Sequence, residues 1–497
     1  MKSTAPVRRR PCVLQTPHRT VPGSLHAALT RPAARRPFTP RAPAWSKIRL
    51  PAAHNLALAR CTRLPRKALA RQALARRSLP AARTRPRAKE LHSEIGSIGA
   101  YSHSQGVLFI RKNVAKFISE RDGHPADPDD LINMLITDPA AGILIPIPQY
   151  PLYTAALAQH HGRGISYMLD ESSGWSTSVE AISDALANAR AEGTSPKALV
   201  VINPGNPTGA LLTAETMAAL VRLCEEHSLV LLADEVYQNN LHRAAEHPFT
   251  SFKKVVRDLR SPVPLVSFHS ISKGVSGECG RRGGYLELTN IAPEVRALIY
   301  KLVSVGLCPP LSGQIGVDSM VRPPKAGEPS YALWKQETDA IHAALAERTR
   351  VMARRLNALP GVSCVESPGA LYLFPKIEIP AKAAAAARAA GKEPDAFYAL
   401  ALLDETGICV VPGSGFGQKA GEWHYRLTCL CPGVEDYVGK LERFHLGFIA
   451  KHAWRAYVAG GLGSIAESEL DPTTVANIGK ERCFLHLPGA VGRGNSP

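Results

Sequence analysis

The sequence predicts an α/β protein built on a mainly parallel sheet with helices on both faces. Two observations carry that reading. From about residue 140, short continuous apolar runs recur, the pattern of strands buried on both sides. Between them lie segments whose apolar residues fall at helical spacing. Strand–helix–strand alternation favours parallel pairing, because the crossover helix returns the chain to the same end of the sheet.

The elements follow in order. AGILIPI (141–147) is the first buried run; ALVVIN (198–203), LVLLADE (229–235), PLVSFHS (264–270) and GGYLEL (283–288) follow it. The helical segments SVEAISDALANARAEG (178–193) and TAETMAALVRLCEEHS (213–228) each open on a capping hydroxyl, Ser178 and Thr213. Ligands of such sheets sit beyond the strands' C-terminal ends, so the polar residues that end the runs are the candidate site. ALVVIN runs into NPGNPTG (203–209), LVLLADE into ADEVYQ (233–238), and PLVSFHS into SISKG (270–274) and then GECGRRGGY (277–285). Singly, each has an ordinary account: a Pro-Gly turn, a helix-capping acid, a solvated lysine. Together, in order and at domain-scale spacing, they form a constellation.

Composition narrows the class. At 497 residues the chain has room for roughly two to four domains. Its 45% hydrophobic and 21% charged residues are ordinary for a globular protein, and no run approaches the ~18–20 apolar residues of a membrane helix. Ten cysteines with no CxxC pair fit reduced thiols of an intracellular protein better than a disulfide scaffold or a metal module, and no metal site is expected.

The net charge of +18 is unevenly placed. Residues 1–89 hold 22 of the 60 Lys and Arg and no acid, and the remainder carries 38 basic against 42 acidic side chains, a net of −4. The body therefore lacks the basic excess of a nucleic-acid binder. An Arg-rich, acid-free N-terminus of this kind reads as a mitochondrial or plastid transit segment, with a basic tail on a cytoplasmic protein as the alternative.

The strand-end motifs resemble the fold-type I aminotransferases, which use pyridoxal phosphate, and within them the alanine aminotransferase subgroup. Supporting segments are SHSQGVLFIRK (102–112), IPIPQYPLY (145–153), SFHSISKG (267–274), LCPPLSGQIGVDSMVRPPKAGEPSY (307–331), VPGSGFGQ (411–418) and HYRLT (424–428). The resemblance covers about 86–453. It implies a seven-stranded type of sheet in a large domain (86–333) and a smaller α+β domain (334–453), and leaves a basic segment (1–85) and a tail (454–497) outside it. It also implies a homodimer with shared active sites, acting on small amino and oxo acids; the charge distribution and the lack of a long apolar run argue against a nucleic-acid or membrane partner.

The resemblance assigns roles residue by residue. Lys273 matches the lysine that forms the Schiff base with the cofactor and then moves the proton as base and acid. Asp234 matches the partner of the pyridine nitrogen, and Tyr237 and Asn206 those of the cofactor's phenolic oxygen. Tyr150 matches the aromatic stacked on the ring. Ser270 and Arg282 match phosphate ligands, and Tyr101 a residue reaching the phosphate of the neighbouring subunit. Arg426 matches the bidentate clamp for the substrate carboxylate. The implied reaction is ping-pong transfer from L-alanine to 2-oxoglutarate; glutamate–glyoxylate transamination is the alternative within the class.

One departure stands out. Where the family has a strand and a Gly-Ala-Ser turn opening a helix that binds the phosphate, GHPADPDDLINMLITDPAAGILIPI (123–147) passes straight through. A missed exon or alternative splicing at the 130–131 junction is the preferred explanation of the gap. The expectation is one strand fewer in the sheet and weaker cofactor retention; a non-catalytic homologue is the competing reading.

Overall fold

The computed structural model describes residues 85–96, 102–125, 140–275 and 277–452. The basic N-terminal segment, Tyr101, the 131–139 segment and the 454–497 tail lie outside the described residues. The large sheet has six strands: β1 (Ala141–Ile147), β2 (Arg163–Met168), β3 (Ser195–Ile202), β4 (Val230–Asp234), β5 (Leu265–Ser270) and β6 (Gly284–Thr289), in the order β2-β1-β3-β4-β5-β6. All pairings are parallel except β5 with β6, which is antiparallel. Among the described residues this is one strand short of a seven-stranded sheet.

Strand periodicity explains the burial on both faces. Leu144, Leu199, Val201, Leu231 and Ala233 face one way, onto helices Val179–Ala191 and Ala214–Glu226, and meet Ile182, Leu186, Met217 and Leu220. Ile143, Ile145, Val200, Leu232 and Val266 face the other way, toward Ile299 of helix Pro293–Ser304. Both predicted caps are made: Ser178 accepts from the Ala181 N–H at 3.1 Å and Thr213 from the Thr216 N–H at 3.2 Å. β2 was not among the sequence-predicted strands. It is an edge strand in which only Ile165 and Tyr167 are buried, so it never shows a continuous apolar run.

The second sheet is antiparallel. It comprises β7 (Val362–Ser363), β8 (Tyr372–Leu373), β9 (Lys376–Ile377), β10 (Val411–Pro412) and β11 (Trp423–Thr428), with β11 pairing β8, β9 and β10. Helices Tyr331–Leu356, Pro394–Thr406 and Val434–His452 cover it through Met352, Leu356, Tyr398, Leu402 and Phe444. Glu171, just past β2, reaches this layer and meets His424 at 3.3 Å and Lys376 at 3.8 Å. No helix among the described residues is long and apolar enough to cross a membrane, and the seven described cysteines are free.

Candidate active site

Register brings the strand ends together. Ile202 pairs with Asp234, Asp234 with Phe268, and Ser270 with Gly284, so the ends of β3, β4 and β5 open onto one cleft. Asp234 closes β4. Its Oδ2 accepts from the Tyr153 hydroxyl at 2.7 Å. Burial lifts the Asp234 carboxyl above its ordinary value, against the pull of the Tyr153 hydrogen bond and the Lys273 charge.

Lys273 lies in the turn after β5. That turn is pinned by Asn240, whose Oδ1 accepts from the Gly274 N–H at 2.9 Å while its Nδ2 donates to the Gly274 carbonyl at 3.3 Å. Gly274 has φ +76°, a left-handed conformation that favours glycine directly after the lysine. Lys273 Nζ donates to the Tyr372 hydroxyl oxygen at 3.2 Å and lies 5.3 Å from the centre of the Tyr237 ring. Tyr237 is buried, and its hydroxyl also donates to Tyr372, at 3.2 Å.

Arg426 comes from β11 of the second sheet. Its guanidinium donates to Asn206 Oδ1 at 2.8 Å and lies 4.2 Å from the Tyr372 ring centre and 4.8 Å from that of Phe416. Lys273, Tyr237, Arg426 and Asn206 are thus linked through Tyr372, and Asp234 lies near enough to feel the charge of Lys273.

The remaining expected residues make other contacts. Ser270 donates to the Gly283 carbonyl at 3.2 Å and accepts from the Ser272 N–H at 3.1 Å. Arg282 is exposed, with φ +55°, and donates to the Cys279 carbonyl at 3.1 Å. Its neighbour Arg281 pairs with Glu278 at 2.9 Å. Tyr150 is 43% exposed, and it is Tyr153, three residues on, that reaches Asp234. Tyr101 lies outside the described residues.

Known proteins share this arrangement of sequence. A match to the family "Aminotransferase class I and II" spans residues 72–438. The chain belongs to that family. A probable mitochondrial alanine aminotransferase of Dictyostelium discoideum is 48% identical over 386 residues, 74% of this chain and 72% of the relative. Glutamate–glyoxylate aminotransferase 2 of Arabidopsis thaliana is 44% identical over 378 residues, 72% of this chain and 78% of the relative. The solved structure of an alanine aminotransferase from Pyrococcus furiosus matches with a TM-score of 0.58 at 27% identity, covering 70% of this chain and 84% of that one.

Class I and II aminotransferases use pyridoxal phosphate, and the donor set of this aminotransferase suits it. A buried carboxylate, a lysine amine, a phenol and an amide face one cleft, complementary to a ring N–H, an aldehyde and a phenolic oxygen. Four residues of this site were not among those predicted. Tyr153 sits in the IPIPQYPLY motif, but nothing in sequence says which of its tyrosines faces the cleft. Asn240 closely follows ADEVYQ. Phe416 lies within VPGSGFGQ. Tyr372, in GALYLF, has the pattern of a core residue and carries no sequence signal.

Proposed function

We propose that this aminotransferase transfers the amino group of L-alanine to 2-oxoglutarate, yielding pyruvate and L-glutamate. The observation that carries the reading is that Arg426 and Lys273 meet on the two sides of Tyr372, in the cleft that Asp234 closes. A lysine that handles an amine beside a guanidinium that holds a carboxylate selects substrates bearing both groups. The naming of the Dictyostelium relative supports alanine.

Bound pyridoxal phosphate supplies the electron sink for the pair released when the substrate Cα–H bond breaks. The chain's own residues do the rest. Asp234 would hold a proton on the ring nitrogen, which requires its carboxylate form. Lys273 Nζ takes the proton from the substrate Cα and gives it back on the other side of the transfer. Tyr237 and Asn206 would hold the phenolic oxygen, and Ser270 and Arg282 would serve the phosphate. Tyr150 would pack on the ring, and Tyr101 is the residue that the family resemblance assigns to the phosphate of a second subunit. Arg426 orients the substrate through its carboxylate.

On the same reading the protein is a homodimer with a large domain over 86–333 and a small one over 334–453. It is directed to mitochondria by its acid-free N-terminal segment, as the names of several relatives suggest. The test is amino-acceptor preference of the purified full chain supplied with pyridoxal phosphate. The expected result is pyruvate formation from L-alanine with 2-oxoglutarate, lost in Lys273→Ala. Faster turnover with glyoxylate favours the glutamate–glyoxylate reading, supported by the Arabidopsis relative. No turnover by a folded, loaded protein overturns catalysis altogether.

A further inference from the structure

Tyr372 is the first residue of β8, on the small sheet, and three groups converge on it. Lys273 Nζ donates to its oxygen at 3.2 Å, the Tyr237 hydroxyl donates at 3.2 Å, and the Arg426 guanidinium lies 4.2 Å from its ring centre. Among the described residues the Tyr372 oxygen receives two hydrogen bonds and donates none. Asp234, the carboxylate of this cleft, is engaged by Tyr153 and the Val236 N–H instead. The groups facing Tyr372 are therefore two cations and one neutral donor, an environment that favours a phenolate.

We propose that Tyr372 is a further catalytic residue, whose phenolate takes the proton from the Lys273 ammonium so that the lysine amine becomes neutral. The inference rests on the aminotransferase reading of Lys273. In this step an N–H bond of the ammonium breaks, its electron pair stays on nitrogen, and an O–H bond forms on Tyr372; nothing is oxidised or reduced. The transfer runs backwards when the lysine has to be protonated. Burial raises the Tyr372 phenol, but the Tyr237 hydrogen bond and the charges of Lys273 and Arg426 more than offset it, leaving it below the ordinary tyrosine value. Tyr237 is pushed the other way by burial and by Tyr372 itself, so it stays the donor.

The geometry also sets the timing. A substrate carboxylate bound to Arg426 neutralises one of the two cations that hold the phenolate. With Lys273 free of the cofactor, Tyr372 then becomes more basic just as the oxo acid arrives, and draws the proton from Lys273 at that moment.

The test is ultraviolet titration of tyrosine ionisation in the full chain without pyridoxal phosphate. The wild type is expected to show one ionisation below the rest. Tyr372→Phe loses that step, Lys273→Met moves it up by about one pH unit through loss of a charged donor, and added 2-oxoglutarate moves it up in the wild type. Circular dichroism confirms that both variants are folded. Should either variant unfold, the wild-type step and its response to 2-oxoglutarate still decide the matter. Absence of the early step, or its persistence unchanged in Lys273→Met, overturns the proposal. Turnover of L-alanine without the step removes the role of Tyr372 and leaves the function; the step without turnover supports the proton pair and removes the function.

Discussion

Tyr153 and Asp234 are joined by a 2.7 Å hydrogen bond from the helix after β1 to the end of β4. The bond favours the carboxylate form and so opposes the burial that raises the Asp234 carboxyl. Tyr153→Phe removes that support, and Asp234 then holds its proton to higher pH. The expected outcome is an acid limb of the kcat/KM profile displaced upward by roughly one pH unit, read from initial rates across pH. A limb that stays in place would show that Tyr153 does not tune Asp234.

The Arg426 guanidinium lies near the faces of Tyr372 and Phe416 while donating to Asn206. A lysine ammonium has neither the planar shape for that position nor the fork for a carboxylate. Arg426→Lys is expected to lower kcat/KM about 100-fold, most of it in KM, on the order of two charged hydrogen bonds. Steady-state kinetics with varied 2-oxoglutarate checks this, and equal activity would remove the clamp.

Lys253 and Glu287 form a fully buried ion pair at 2.5 Å between the helix after Ser251 and β6. Burial raises the Glu287 carboxyl, and Lys253 counters it. Lys253→Met leaves that carboxyl alone in the core and is expected to cost about 3–5 kcal/mol, whereas Lys253→Met with Glu287→Leu recovers most of the loss. Urea unfolding distinguishes the two; equal losses would mean that packing, not charge, sets the penalty.

Glu235 is buried beside Asp234 and accepts from the Phe252 N–H at 2.7 Å. Burial pushes its carboxyl up to about 7 despite the charge of Arg121. The folded state therefore binds more protons than the unfolded state between its ordinary value of 4.5 and about 7, and stability falls as pH rises through that window. Glu235→Gln keeps the acceptor and removes the titration. Relative to wild type it is expected to gain about 3 kcal/mol between about pH 4 and pH 8, measured by chemical denaturation at both.

The parallel core was legible because buried central strands are continuous apolar runs, as AGILIPI and ALVVIN are. The edge strand RGISYM was not, since it is buried on only two side chains. Asn206, Asp234, Tyr237 and Lys273 were legible because strand ends in a parallel sheet converge by topology alone. Arg426 came from the family resemblance, since no local pattern links β11 to the first sheet. Tyr372 stayed hidden for the same reason: it lies 99 residues from Lys273 along the chain, and only packing of the two sheets brings them together. The Tyr150 and Tyr153 pair shows a finer limit. Three positions apart, they face different surroundings, and sequence alone does not say which of them turns inward.

The Arg426–Asn206 bond makes ligand capture an exchange. Asn206 Oδ1 already occupies one donor of the guanidinium, so an incoming carboxylate must displace an internal surrogate before it can be held by both arms. A monodentate or badly angled anion gains little from that trade. A carboxylate presented squarely gains the second contact and frees the amide at the same time. Discrimination against wrong anions is thus set by what the empty clamp is already holding, and chloride in a buffer should compete less well than the charge of Arg426 alone would suggest.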